Sequence, residues 1–223
     1  MIDPPTDPTS QRGKPIPITQ PTVLVVEGPG DDKLFFERLL EIMQIPNVDV
    51  VPMDGTSGLD GVLEILAKEA FVTKKVRSIG IIRDANTNRQ CTVKNVREAL
   101  HKHGLPVPED EMVSVGTHPQ VCFLLMPGKG KQGMLEDLCL KSVKDEPAMR
   151  CVEQYFDCLE RQSVPLPPRK ELSKAKVHAY LSSKTNPSVA LGRAATYDYW
   201  PWDHPAFEEV KQFLTTVCGI TSS

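Results

Sequence analysis

The segment Thr22-Val23-Leu24-Val25-Val26 narrows the fold more than any other, because it is apolar without alternation and ends at once in Glu27-Gly28-Pro29-Gly30. A run of this kind is covered on both faces, which is the condition of a strand in a parallel sheet. Asp31 then offers an N-cap oxygen, and Phe36, Leu39, Leu40 and Met43 recur at the spacing of one helical stripe. The unit is repeated. Val48 to Met53 reads as a second strand, Asp54 to Gly58 as a turn, and Leu59, Val62, Leu63, Leu66 and Ala70 as the stripe of a second helix. Val76 to Ile82 is a third strand ending at Arg83-Asp84, followed by a polar loop, Ala85 to Cys91, and a helix with Val93, Val96 and Leu100 inward. Strands alternating with helices require parallel pairing through crossovers. Met112 to Val115 and Val121 to Met126 read as two further strands, giving an expected sheet of about five.

Beyond Pro127 the strand signals stop. Leu135 to Val143, Met149 to Leu159, Leu172 to Leu181 and Ala206 to Val217 are helical in period, separated by Pro147, by Pro165 to Pro168 and by Pro187. The expectation is an α/β, Rossmann-like chain with a central, mostly parallel sheet, helices on both faces and a helical C-terminal extension. Its organisation is read as a disordered Pro-rich tail (1–21, six prolines), a core (22–126) and a helical extension packed on the core (127–223).

Composition limits the function. The six cysteines form no C-x-x-C, so neither a disulfide framework nor a zinc site is expected, and Cys122, Cys139 and Cys158 sit among apolar residues as small hydrophobes. No apolar run approaches a membrane span and the first 20 residues are polar, so a cytoplasmic protein without a membrane partner is expected. The net charge of −3 conceals an uneven distribution: residues 22–126 carry 11 basic and 15 acidic side chains, and residues 127–184 carry 11 basic and 8 acidic. A carboxylate-rich half beside a basic one suits a metal-dependent site acting on a polyanion.

In open parallel sheets the working residues lie outside the carboxyl ends of the strands. Those ends present Glu27, Asp54-Gly55 and Asp84-Ala85-Asn86, with Gly28 and Gly30 allowing close backbone approach beside Glu27. Capping preference assigns Asp31 and Asp32 to the helix start and Asp54 to a turn, whereas Glu27 and Asp84 follow apolar strands directly, where an unpaired carboxylate is costly. The Gly128-Lys129-Gly130-Lys131-Gln132-Gly133 loop is basic and suits phosphate contact, but it is not a Walker A loop. His118, His178 and His204 show no ligand spacing, and Trp200 and Trp202 read as packing for the last helix.

Val26-Glu27-Gly28 closing the first strand, an acidic start to the helix after it, a glycine turn after the second strand and Ile81-Ile82-Arg83-Asp84-Ala85-Asn86 closing the third resemble the Toprim domain. That domain is the metal-binding catalytic module of topoisomerases, bacterial primases, small ribosomal-RNA maturases and overcoming-lysogenization-defect nucleases. Gly133 to Leu138, Ser173 to Leu181 and Trp200 to Phe207 further resemble small stand-alone Toprim-like proteins of prokaryotes, and the likeness covers about residues 22–217.

The resemblance implies a Mg²⁺- or Mn²⁺-dependent phosphodiester-cleaving protein acting on DNA or RNA. Glu27 matches the Toprim glutamate, as general acid/base or metal ligand, and Asp84 the first aspartate of the Asp-x-Asp. Asn86 stands where the second aspartate belongs, which removes one full charge from the ligand set. Asp31, Glu136 or Asp137 would restore that charge if the fold brings them near. Lys174 matches a basic helix residue placed to hold phosphoryl charge, while Gly28, Lys129 and Lys131 are the candidate phosphate contacts. A second reading is a catalytically degenerate module that binds nucleic acid or a separately encoded ATPase, with Asn86 as its mark. A third, a response-regulator receiver, is disfavoured by the missing lysine after the fifth strand, where Met126-Pro127 stands.

Overall fold

The computed structural model describes residues 17–53 and 58–220. Four strands form the sheet: β1 (Thr22–Val26), β2 (Val48–Pro52), β3 (Ser78–Asp84) and β4 (Gln120–Met126). Their order is β2-β1-β3-β4 and every pairing is parallel. Helices α1 (Asp31–Ile42), α2 (Gly58–Phe71) and α3 (Arg89–Lys102) are the crossovers. The C-terminal part supplies α4 (Leu135–Ser142), α5 (Pro147–Arg161), α6 (Arg169–Leu181), α7 (Leu191–Thr196), a 3-10 turn at Pro205–Phe207 and α8 (Glu208–Val217).

The apolar strand runs divide by parity between two cores. Val23 and Val25 of β1, Ile79 and Ile81 of β3 and Phe123 and Leu125 of β4 pack with α2 and α3. Leu24 and Val26, Ile82, and Leu124 and Met126 pack on the other face with α1 and the C-terminal helices. The C-terminal extension therefore shares with α1 the cover of one face of the sheet, and the chain is a Rossmann-like α/β fold. Gly80 makes one part of that cover possible, because a Cβ there would stand 2.9 Å from both methyl groups of Val217 on α8. Beside it, the Ser78 hydroxyl donates to the Val217 carbonyl at the end of that helix (2.5 Å).

Four expectations are corrected. Met112 to Val115 is not a fifth strand: Met112 has left-handed φ (65°), and Val115 makes only an isolated antiparallel bridge to Val121. In place of a strand, the buried Glu111 carboxylate (4% exposed) accepts from the Leu125 amide on β4 and pairs with Arg89. Pro17 to Pro21 belongs to the fold rather than to a tail. Ile18 is buried in the α2/α3 core, the Thr19 and Gln20 amides donate to Asp49, and the Pro21 carbonyl accepts from Arg77 and Ser78. Cys158 is exposed, because the buried stripe of α5 runs through Met149, Val152 and Phe156 and misses it, whereas Cys122 and Cys139 are buried. Helix α7, only six residues long and built around Gly192, Ala194 and Ala195, shows no period in sequence and was not expected. The turn expected at Asp54 to Gly58 lies, apart from Gly58, outside the described residues. Among the described residues no helix is long and apolar enough to cross a membrane.

The Glu111–Arg89 pair joins the edge of the sheet to the start of α3, and both side chains are largely withdrawn from solvent. Removing one partner leaves the other charge buried and unpaired. Arg89→Ala is expected to lower stability by about 3–5 kcal/mol in urea unfolding, whereas Arg97→Ala on the outer side of α3 changes it by less than about 0.5 kcal/mol.

Candidate functional site

Strand order fixes where a cleft forms. From β1 the chain crosses to β2 through α1 on one face, and from β3 it crosses to β4 through α3 on the other. The two loops part above neighbouring strands, so a crevice opens outside the carboxyl ends of β1 and β3. A cleft of about 500 Å³ lies there. Glu27 and Gly28 line it from the end of β1, Asp31 and Asp32 from the start of α1, and Asp84 and Asn86 from the end of β3. The C-terminal extension closes it with Leu135 and Glu136 of α4, Lys174, Val177 and His178 of α6, and Leu191 of α7.

The glutamate and the aspartate expected to work together are adjacent. The Glu27 Oε2 accepts from the Asp84 amide (3.0 Å) and lies 3.5 Å from Arg83 Nε. Asp84 is held in turn by the start of α4, its Oδ1 accepting from the Leu135 amide (3.1 Å). Burial pushes the Asp84 carboxyl up to about 8, and the charges of Glu27, Asp32 and Glu136 add to the shift. Asp32 is raised to about 6 by burial and then by Glu27 and Glu136, and burial also raises Glu136, against the opposing effect of Lys174. These acids are crowded, partly dry and short of positive charge.

Several candidates have other occupations. Asp31 lines the cleft, but its Oδ1 accepts from the Gly192 amide (2.7 Å), so it ties α7 to α1. Asp32, assigned from sequence only to the helix start, has its carboxyl raised by burial and by the charges of Glu27 and Glu136, and in turn raises Asp84. Gly28 makes room for it, since a Cβ at Gly28 would stand 2.5 Å from Asp32 Oδ2. Asp137 does not line the cleft: its two oxygens accept from the Met134 amide (2.8 Å) and the Ser173 hydroxyl (2.6 Å). Lys129 and Lys131 lie outside it as well, paired with Asp110 (2.8 Å) and Glu209 (2.9 Å), and Glu209 also accepts from the Lys129 amide. Lys174 does line the cleft, with only a loose, exposed partner in Glu171 (3.7 Å). His178, set aside for want of ligand spacing, lies one turn further along the same helix and lines it too.

Asn86 has left-handed φ (50°), a conformation that Asn and Asp tolerate best among non-glycine residues. Its amide group donates to the Asp84 carbonyl (3.3 Å), while its Oδ1 is buried without a hydrogen-bond partner among the described residues. An orphaned amide oxygen beside crowded carboxylates is a donor set of hard oxygens, which suits Mg²⁺ or Mn²⁺. Among the described residues no three acidic, imidazole or thiol groups stand close enough to enclose an ion unaided. A cation here would therefore complete its shell with water or a phosphate oxygen, as Mg²⁺ commonly does.

Two outcomes follow for the protein in chelator. Because the folded state keeps Asp84 protonated up to about pH 8 while an unfolded aspartate ionises near pH 4, the native state binds the extra proton, and stability falls as pH rises between those values. Asp84→Asn is expected to flatten the fall in Tm between pH 5 and pH 8 and to exceed the wild type at pH 8. A Cβ at Gly192 would collide with the backbone of Asp31. Gly192→Ala is therefore expected to cost about 1–3 kcal/mol in urea unfolding.

No curated protein matches the chain. No solved structure matches it either. One family model does match, over residues 21–219, which takes in all four strands, the cleft and α8. The chain belongs to that family, described as a protein family of unknown function, DUF3226.

Proposed function

We propose that this protein is a Toprim-like, Mg²⁺- or Mn²⁺-dependent phosphodiesterase acting on nucleic acid, with its active site in the cleft between β1 and β3. The observation that carries the reading is the convergence, at one switch point, of Glu27, Asp32, Asp84 and Glu136 with the orphaned Asn86 Oδ1 and a lysine. Desolvated carboxylates that raise one another's proton affinity mark sites built to exchange protons or to hold a cation. Asp84, Asp32 and Asn86 would hold the ion, with Glu136 in reach of the same charge, and the ion would supply charge neutralisation and a more acidic water.

The chain's own groups account for the rest of the chemistry. Glu27 Oε2 is fixed by the Asp84 amide and Arg83, and its Oε1 has no hydrogen bond among the described residues. Glu27 takes the proton of the attacking water at that carboxylate. Lys174 on α6 faces the acids across the cleft and offsets the phosphoryl charge that grows as the bond breaks. Leu135, Val177 and Leu191 form the apolar part of the wall and limit the water that reaches these groups. The degenerate-module reading, with nucleic acid or a partner ATPase as ligand, draws on Asn86 and on the lack of a ready-made cage of three acids.

Mn²⁺ is expected to raise Tm more at pH 8 than at pH 5, since protons and cation compete for the same carboxylates. Asp84→Ala should abolish that gain. Glu27→Gln should keep the fold and lose cleavage of single- or double-stranded DNA or RNA by at least about 100-fold. Cleavage untouched by both variants would remove the cleft from the reaction. Asn86→Asp adds a carboxylate and should tighten Mn²⁺ binding in calorimetry; a protein that neither binds Mn²⁺ nor cleaves after this change is the binding module.

A further inference from the structure

A second cavity, of about 250 Å³, adjoins the acidic cleft and shares Asn86 and Met134 with it. We infer that this cavity receives one unpaired nucleobase of a single-stranded nucleic acid whose phosphate lies in the acidic cleft, so that the substrate class is single strands, loops or frayed ends. The inference rests on the phosphodiesterase reading for the neighbouring phosphate.

The lining chemistry selects a base over a phosphate. The one acid in the wall, Asp137, is already spent on the Met134 amide and the Ser173 hydroxyl. What remains for a ligand is Thr87, Gln132 and Arg169, and among the described residues none of these three side chains has a hydrogen-bond or ion-pair partner. A hydroxyl, a carboxamide and a guanidinium are the groups that read base edges. A phosphate site would be expected to gather several cations, and here Arg169 is the only one. Arg169 is also the first residue of α6, the helix end at which a cation is disfavoured by the dipole. Its guanidinium is exposed there and open to a ligand.

Size gives the second argument. The cavity lies at the ends of the strands, beside the cleft, and has room for one heterocycle rather than a duplex. A paired base presents only its groove edge and cannot enter such a space without leaving the stack, which costs a few kcal/mol. An unpaired base enters without that cost. Its 5′ or 3′ phosphate then reaches past Asn86 and Met134, the residues common to both cavities, toward Glu27 and Asp84.

Fluorescence anisotropy on the full chain tests this with four labelled 12-mers in Ca²⁺: single-stranded DNA, single-stranded RNA, duplex DNA, and a DNA strand of abasic sites. The single strands should bind at least about 10-fold tighter than the duplex and the abasic strand, and the comparison of DNA with RNA names the sugar. Gln132→Ala and Arg169→Ala should each weaken single-strand binding by about 5- to 50-fold and leave duplex binding unchanged. Far-UV circular dichroism and Tm of the two exposed-site variants check that the fold is intact. Equal affinity for duplex or abasic strand, or unaltered single-strand affinity in Gln132→Ala, overturns the inference. Cleavage by the wild type with a preference for duplex sinks the base pocket and leaves the phosphodiesterase reading standing. Base-dependent single-strand binding without cleavage of any substrate does the reverse, and failure to bind any of the four strands overturns both.

Discussion

Parallel pairing of β1 with β3 is the constraint on which the rest of this molecule depends. It places two strands that are more than fifty residues apart in the chain side by side, and it sends their following helices to opposite faces of the sheet. The backbone amide of Asp84 then meets the carboxylate of Glu27 without any further adjustment. Everything built above this junction answers a single problem, which is how to keep five acids in a cleft partly closed to water. The start of α4 supplies one amide to Asp84, Arg83 stands near Glu27, Gly28 yields space to Asp32, and Lys174 reaches in from α6. Two cations against the acids of this cleft leave it short of positive charge. The shortage is what the proposed cation would relieve.

The C-terminal half does more than cover a sheet. Its helices bury Tyr180, Trp200, Phe207 and Phe213 against the face formed by Leu24, Val26 and Ile82. In doing so they bring α4, α6 and α7 to the open end of the cleft. A bare sheet with its crossover helices would hold Glu27 and Asp84 at a shallow rim. The extension turns that rim into an enclosed, low-dielectric site, which is the reason the aspartates there hold their protons to higher pH. Core packing and site electrostatics are the same event in this fold.

Much of this was legible in the sequence, for reasons that differ from residue to residue. Short, β-branched apolar runs bounded by breakers read as strands covered on both faces, so β1, β3 and β4 and the acids ending β1 and β3 are legible together. Glu136 and Lys174 were reached only through the resemblance, since their approach to the cleft depends on how α4 and α6 dock. Asp32 was passed over because an acid in the first turn of a helix has a sufficient local explanation, and only the depth of the cleft reveals a second role. Asp31 and Asp137 were placed with the ligands because composition cannot show that a backbone amide 161 residues away, or a serine on another helix, already claims an oxygen. Lys129 and Lys131 are phosphate-contact candidates in the sequence for the same reason; their partners Asp110 and Glu209 lie on separate segments. The expected strand at Met112 yields to a competitor that periodicity ignores, a buried glutamate whose carboxylate takes the Leu125 amide at the sheet edge.

The bond between Asp31 and the Gly192 amide also bears on how the protein is made. Synthesis is vectorial, and all four strands have been translated at Met126, long before residue 192. Until then Asp31 lacks the Gly192 amide, α1 has no α7 beside it, and the strand ends lack the helices that wall the cleft. The cleft comes into being only when the last third of the chain docks. A truncated or prematurely terminated product would keep the strand-end carboxylates but not the walls that α4, α6 and α7 place around them.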